Sequence, residues 1–405
     1  MLTQYFWPES FRINEVVSSL VKKGLQVNVL TGKPNYPQGA VFEGYKAWGM
    51  QRETYCGAGV YRIPLAPRRK SGVGLAINYL SFVLSGLLLA PWALRGHRQD
   101  VIFVYAPSPI LQAIPAIFLG WLTNSPVILW VQDLWPASLS ATGHVKNPAI
   151  LRAVGRLVSW IYRKVDLLLV QSEAFVEPVR TLAGDTPIQY FPNSVDSSFS
   201  APAAHGAELL GLDADFPVLF AGNIGTAQAV DVIVDAAERL QQHPEIQFVV
   251  VGDGSRRLGM MEAGRKRGLT NLHLPGRFPV ESMPGFMQRA AVLLVTLADQ
   301  EVFAYTVPSK VQAYLAAGRP IIASINGEGA RVVTDAGAGL AVPAEDGSAL
   351  AEAVMKLYRM NSEERAALGR NGARYFAEHF EHEMLVDRLQ DIFSEVLARR
   401  KEKTK

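Results

Sequence analysis

The stretch Val302–Val333, VFAYTVPSKVQAYLAAGRPIIASINGEGARVV, decides how the chain is read. It predicts a loop, a helix, a strand, a second loop and the start of another helix. Thr306-Val307-Pro308-Ser309 is turn chemistry, and Pro308 fixes φ where a helix should begin. Lys310 to Ala317 is rich in helix formers. Gly318-Arg319-Pro320 ends that helix, because glycine accepts the left-handed cap and proline cannot continue it. Ile321 to Ser324 is a short apolar strand, and Asn326-Gly327-Glu328-Gly329 opens the next helix. Two helix N-termini, one lysine and one glutamate are thereby presented together. Unpaired N–H groups at helix starts attract phosphate. Lys310 adds positive charge, and Glu328 can accept bonds from sugar hydroxyls. A nucleotide-sugar site is implied, although an ordinary α/β repeat with a surface Lys and Glu would show the same spacing.

Composition sets the frame around this stretch. A chain of 405 residues, 49% hydrophobic and 19% charged, is too long for one core and suits two α/β domains. A net charge of +3 does not argue for nucleic acid. The single cysteine, Cys56, excludes a disulfide framework and a cysteine metal cluster. MLTQYFWPES lacks the charged and apolar regions of a signal peptide. Leu2 to Tyr5 reads as the tail of a first strand, so the native start is expected several codons upstream.

Upstream and downstream the strand–helix alternation continues. Ser71–Leu94 carries no charge and is flanked by Arg68, Arg69, Lys70, Arg95 and Arg98. Its length approaches a membrane span, but Asn78, Ser81, Ser85, Gly86 and Pro91 dilute it. Two readings compete: a helix on an anionic membrane surface, or one buried in the domain. Val101–Gln132, also uncharged, breaks into strand, turn, helix and strand, a unit buried on both faces. Gln132-Asp133-Leu134-Trp135-Pro136 follows at a predicted strand end, where ligands of open α/β sheets bind. Pro192-Asn193-Ser194-Val195-Asp196 reads as a hinge. Past it, strands end in Gly222-Asn223-Ile224-Gly225, Gly252-Asp253-Gly254 and Gly276-Arg277-Phe278. Neither half carries GxGxxG after its first strand, and there is no P-loop and no HExxH.

These segments together resemble the family-4 glycosyltransferases of the GT-B fold. The marks are QYFWPE, TGKPNYPQG, WVQDLWPASLSATG, FPNSVD, FAGNIG, VVVGDGSRR, LPGRF and VPSKVQAYLAAGRPIIAS with GEGARVV. The likeness covers nearly the whole chain and is similar to the bacterial branch that builds O-antigen, lipopolysaccharide or capsule, including N-acetyl-fucosamine transferases. It implies two facing Rossmann-like doubly wound domains with a terminal helix crossing back. Residues 1–195, with 378–405 returning, would bind the acceptor, and 196–377 the nucleotide sugar. The implied activity is a retaining hexosyl transfer without metal or other cofactor. A sugar, such as an N-acetylated 6-deoxyhexosamine, would pass from a UDP-sugar to a polyprenyl-linked saccharide. The work would be done in the cytoplasm, at the inner face of the cell membrane, with no nucleic-acid partner. A GT-B UDP-sugar epimerase and a non-catalytic partner subunit are the alternatives.

The chain departs from the family where donors are usually held. The expected Arg and Lys after the second domain's first strand are Asn223 and Gln228. The two glutamates eight positions apart fall at Tyr305 and Ala313. Lys310 is the replacement cation, with Arg256 or Arg257 second, and Glu328 or Glu301 the replacement carboxylate. Donor contacts are therefore expected at Gly222, Asn223, Gly225, Gly252, Arg256, Arg257, Arg277, Phe278, Ser309, Lys310, Glu328, Gly329 and Ala330. Lys310 and the amides of Gly222–Gly225 would stabilise the leaving diphosphate. Asp133, with Glu9 second, is the carboxylate for the acceptor hydroxyl, unless the leaving phosphate takes that proton. Asp133 reads equally as a helix N-cap. Trp7, Tyr36 and Trp135 would stack on sugar faces, or fill core.

Overall fold

The computed structural model describes residues 1–69, 71–141, 147–195 and 212–404. The chain divides into one unit of Met1–Asn193 with Glu383–Lys405 and a second of Ser194–His382. Lys70 and Asp196, singled out above, lie outside the described residues.

In the first unit the elements run α1 (Ile13–Lys22), β1 (Asn28–Gly32), β2 (Gln51–Tyr55), β3 (Ala58–Ile63), α2 (Gly72–Ala93) and β4 (Ile102–Ala106). Then come α3 (Ala113–Thr123), β5 (Val127–Val131), α4 (Ala137–Ala141), α5 (Pro148–Tyr162), β6 (Leu167–Val170), α6 (Val176–Ala183) and β7 (Ile188–Tyr190). β4, β5, β6 and β7 are parallel neighbours, and β1 pairs with β3. The gap between β1 and β4 is closed by the first residues of the chain. Leu2 bridges Leu30 on one side and Val104 on the other. Leu2 N donates to Phe103 O (2.8 Å), and Tyr105 N returns a bond to Leu2 O (3.1 Å). The short first strand read from sequence thus occupies the middle of the sheet.

Hairpin strand β2 was not legible in advance. Its residues Gln51-Arg52-Glu53-Thr54-Tyr55 alternate half-buried and exposed, so no apolar run marks them. The signal is the two-residue turn Cys56-Gly57, both with positive φ (47° and 88°), the geometry that suits a tight hairpin.

The second unit runs β8 (Phe216–Ala221), α7 (Asp231–Arg239), β9 (Ile246–Val251), α8 (Arg257–Lys266), β10 (Leu272–Gly276), α9 (Met283–Arg289) and β11 (Val292–Thr296). It continues with α10 (Glu301–Ala304), α11 (Ser309–Ala317), β12 (Ile321–Ser324), α12 (Glu328–Asp335), β13 (Gly339–Val342), α13 (Gly347–Arg359) and α14 (Ser362–His379). All six strands are parallel, in the order β10-β9-β8-β11-β12-β13. That is a doubly wound sheet whose order reverses at β8, so its ligand crevice lies at the carboxyl ends near β8. The two sheets are those of the GT-B fold class.

α15 (His382–Thr404) closes the chain. Leu385, Val386, Leu389, Ile392 and Val396 are buried with Phe103, Trp130 and Phe191 of the first unit. Lys23 Nζ bonds Asp387 (2.7 Å), and Arg388 donates to Tyr190 O (2.9 Å). The return begins at Glu383, later than the expected 378. Residues up to His382 are held in the second unit, where Val195 N donates to Phe380 O (3.2 Å) and Ser194 Oγ meets His382 Nδ1 (2.9 Å).

Candidate active site

Each unit carries a cavity at the carboxyl ends of its strands. In the second unit it holds about 370 Å³ and is lined by Gly222, Asn223, Val251, Gly252, Asp253, Arg277, Phe278, Val280 and Met283. The strand ends forming it are zipped together. Gly222 N bonds Val251 O (2.8 Å), Gly252 N bonds Gly276 O (2.8 Å) and Ile224 N bonds Asp253 O (2.8 Å). Gly252, at φ 146°, is required there: a Cβ would lie 1.8 Å from Gly222 O.

Lys310 is the unspent charge beside this cavity. It stands in the first turn of α11, and its Nζ is sealed from solvent without a hydrogen-bond partner among the described residues. The ammonium lies 3.5 Å from the centroid of the Phe220 ring. Its Cε is 2.5 Å from where a Cβ on Gly222 would stand, so glycine there is what admits the lysine. Burial lowers its pKa from 10.5 to about 7. A buried ammonium with no partner is costly unless something anionic completes the site.

Several expected donor contacts are otherwise engaged. Asn223 Nδ2 donates to Gln228 Oε1 (2.9 Å), and Gly225 N donates to the same oxygen (3.2 Å). The neutral pair standing where relatives carry two cations therefore bonds to itself. With Gly222 N and Ile224 N held by carbonyls, the Gly222–Gly225 amides are mostly consumed, contrary to expectation. Arg256 is exposed and ion-paired to Asp231. Arg257 reaches towards Leu274 O (3.5 Å) and does not line the cavity. Glu328, 5% exposed, is clamped by Arg331 through Nε (2.9 Å) and Nη2 (2.7 Å), so its oxygens are already neutralised. Gly329 packs closely on Pro308 and Ile325, binding the start of α12 to the loop before α11, and Ala330 follows it half-buried. Ser309 is exposed, and no side chain caps α11 or α12. Exposed Glu301 accepts a bond from Tyr305 Oη (3.3 Å).

The first unit's cavity, about 300 Å³, is lined by Tyr5, Phe11, Tyr36, Arg68, Leu75, Tyr79, Pro107, Ser108, Asp133, Trp135, Ser138 and Leu139. Asp133, Tyr36 and Trp135 are thus brought together as the sequence suggested. Burial pushes the Asp133 carboxyl up, while bonds from Ser138, the Trp135 indole and the Leu134 amide pull the other way. Trp135 Nε1 stands 3.3 Å from Asp133 Oδ2.

Glu9 and Trp7 are corrections. Glu9 is 2% exposed and serves as a latch between two loops. Its Oε1 accepts from Asn35 N (2.8 Å) and Tyr36 N (2.7 Å), and its Oε2 from Phe6 N (3.1 Å). Three backbone amides hold its carboxylate, and it is not among the cavity's walls. It instead holds Tyr36 at the cavity wall. Trp7 packs on Tyr55 at 5.4 Å and is not among the cavity's walls. Tyr5, Phe11, Arg68, Tyr79 and Ser108 were missed as wall residues. They come from separate elements, and only Tyr5, ending the short first strand, and Ser108, just past β4, carried a strand-end signal.

The comparisons follow the same division. Residues 10–194 match the family described as Glycosyl transferase 4-like domain, and 215–360 the one described as Glycosyl transferases group 1. WcaI of Escherichia coli K12, provisionally assigned as a colanic acid biosynthesis glycosyl transferase, is 27% identical over 326 residues, 75% of this chain and 76% of WcaI. D-inositol 3-phosphate glycosyltransferase of Saccharomonospora viridis is 27% identical over 69% of this chain and 68% of its own. Among solved structures, Anabaena HepE in complex with UDP superposes with a TM-score of 0.68 at 12% identity, over 97% of this chain and 98% of HepE. Sucrose-phosphate synthase from Thermosynechococcus elongatus gives 0.68 at 16% identity, over 96% and 93%. With residues 10–194 and 215–360 each matching a glycosyltransferase domain, the chain is a glycosyltransferase.

Proposed function

We propose that this enzyme transfers a sugar, with retention, from a nucleoside diphosphate donor to a lipid-linked saccharide in surface polysaccharide synthesis. The observation that carries the donor half is Lys310: a sealed ammonium with no hydrogen-bond partner among the described residues, beside a cavity lined by Gly222 and Gly252. A bound diphosphate would complete it, and Lys310 would stabilise the charge that develops on the leaving group. UDP is the carrier we favour, because the structural neighbour HepE was solved with it. Retention rests on the resemblance to family-4 enzymes, and the N-acetylated 6-deoxyhexosamine on the branch of it described above. Asp133 positions the acceptor hydroxyl, with Tyr36 and Trp135 beside it.

The acceptor half rests on α2. Its inner face is buried, and Asn78 donates to Ala66 O (2.6 Å) and accepts from Gln4 Nε2 (2.7 Å). Its outer face exposes Val73, Ile77, Leu80, Leu84, Leu88 and Trp92, the last at 63%. The helix is long and apolar enough to cross a membrane by length and composition, yet one side belongs to the domain. One face of the helix is core, and the other is an exposed apolar stripe with basic flanks. Such a helix suits the inner surface of an anionic bilayer.

The test is a thermal-shift screen of UDP, GDP, TDP and ADP and their sugars. One diphosphate should raise the melting temperature of wild type and not of Lys310→Met. No shift with any of them would favour the non-catalytic subunit. Donor turnover without acceptor would favour the epimerase.

A further inference from the structure

The first unit's cavity holds a guanidinium that the donor chemistry does not use. Arg68 lies over the Tyr36 ring at 5.1 Å, with Nη1 3.5 Å from Tyr5 Oη. Its backbone is fixed: Arg68 N donates to Asn35 Oδ1 (2.9 Å), and Gly39 approaches so closely that a Cβ would lie 2.0 Å from Arg68 O. Among the described residues no carboxylate pairs with it. The contrast is Arg62, which is buried and neutralised by Glu53. Asp133, the cavity's carboxylate, accepts bonds from Trp135, Ser138 and the Leu134 amide and forms no ion pair with Arg68.

Geometry links this arginine to the apolar helix. Leu75 and Tyr79, on the inner face of α2, are cavity walls, while Val73, Ile77 and Leu80 face outward a helix diameter away, about 10 Å. Along the sequence, the window that carries Arg68 and the apolar helix is basic. Residues 68–164 contain ten Lys or Arg and two Asp, a net +8, so the rest of this +3 chain carries −5. α5 contributes exposed Arg152 and Arg156 beside exposed Ile150, Leu157 and Trp160.

We propose that Arg68 binds the phosphate or diphosphate that joins the acceptor saccharide to its lipid. This rests on the reading of a lipid-linked acceptor given above. With the outer face of α2 in the bilayer, the anionic link emerges beside the inner face, where the guanidinium fork can take two oxygens. The sugar then lies against Tyr36, Trp135 and Asp133.

Binding of three probes to the full chain tests this: farnesyl diphosphate, farnesol and inorganic diphosphate. Wild type should bind farnesyl diphosphate at least tenfold more tightly than either other probe. Arg68→Met should lose that tenfold while its binding of farnesol stays the same. Should Arg68→Met fail to melt cooperatively, Arg68→Lys decides, and must bind farnesyl diphosphate several-fold more weakly than wild type. Lys310→Met should bind farnesyl diphosphate as wild type does while losing UDP, so failure of the donor reading is seen separately. Equal binding of farnesyl diphosphate by wild type and the arginine variants overturns the proposal. So does a deficit seen only with phosphatidylglycerol vesicles, which would assign Arg68 to bulk headgroups.

Discussion

Lys310 and Glu9 show how little a residue type says before its neighbours are known. Both are buried ionisable groups, yet one is unpaired and the other holds three amides. Replacing Lys310 with Met should cost roughly a hundredfold or more in turnover, as loss of a charge-stabilising group does. It should not lower the melting temperature of the empty protein. The folded pKa of about 7 lies below the ordinary 10.5, so between those values the unfolded chain binds more protons. Wild-type stability therefore rises with pH across that window relative to the Met variant. The variant's advantage is greatest below pH 7 and vanishes near 10.5; melts at several pH values read this directly. Diphosphate binding should recharge the amine, so affinity should fall by up to tenfold per pH unit above about 7, measurable by calorimetry. Glu9→Gln, by contrast, should cost about 1–3 kcal/mol of stability because Phe6 N loses its acceptor. Chemical denaturation with normal turnover per folded molecule is the expected result. Lys310 was legible because it follows a Pro-Ser helix start. Glu328 was misread although its clamp, Arg331, stands three residues on, a spacing at which helical side chains meet. Arg256 was beyond sequence, since Asp231 lies in a different helix.

At the scale of elements, the apolar periodicity of the buried strands made the parallel sheets readable, and the charged edge strand β2 was hidden by the same logic. The double character of α2 was not decidable from composition, because a wholly buried helix and a half-buried one share it. Exposure decides it: Leu80 is 58% and Leu84 60% accessible, while Phe82 between them is 0%. Leu80→Glu with Leu84→Glu should therefore leave the melting temperature unchanged within error and sharply reduce sedimentation with phosphatidylglycerol vesicles. Retained vesicle binding would remove α2 from the membrane face. Reversing Arg68 and Arg69 to Glu should weaken the same binding most at low salt, where screening is least.

For the molecule as a whole, the chain divides at Asn193/Ser194, in the Pro-Asn segment read as a hinge, and again at His382/Glu383. Nothing in residues 378–382 distinguishes helix end from crossing; the bonds of Val195 and Ser194 do. Deleting 383–404 should remove the buried Leu385, Val386, Leu389, Ile392 and Val396, worth roughly 1.5–3 kcal/mol each, and uncover Phe103, Trp130 and Phe191. That matches the whole stability of a typical domain, about 5–15 kcal/mol. The truncated chain should lose the first unit's cooperative melt and bind a hydrophobic dye. The same feature orders events during synthesis. The second unit is one uninterrupted run, whereas the first is split into Met1–Asn193 and Glu383–Lys405. Until residues 383–404 leave the ribosome, the layer of Phe103, Trp130 and Phe191 lacks its cover. The first unit is thus begun before the second and completed after it, and a nascent chain must shelter that sheet until the helix that covers it has been made.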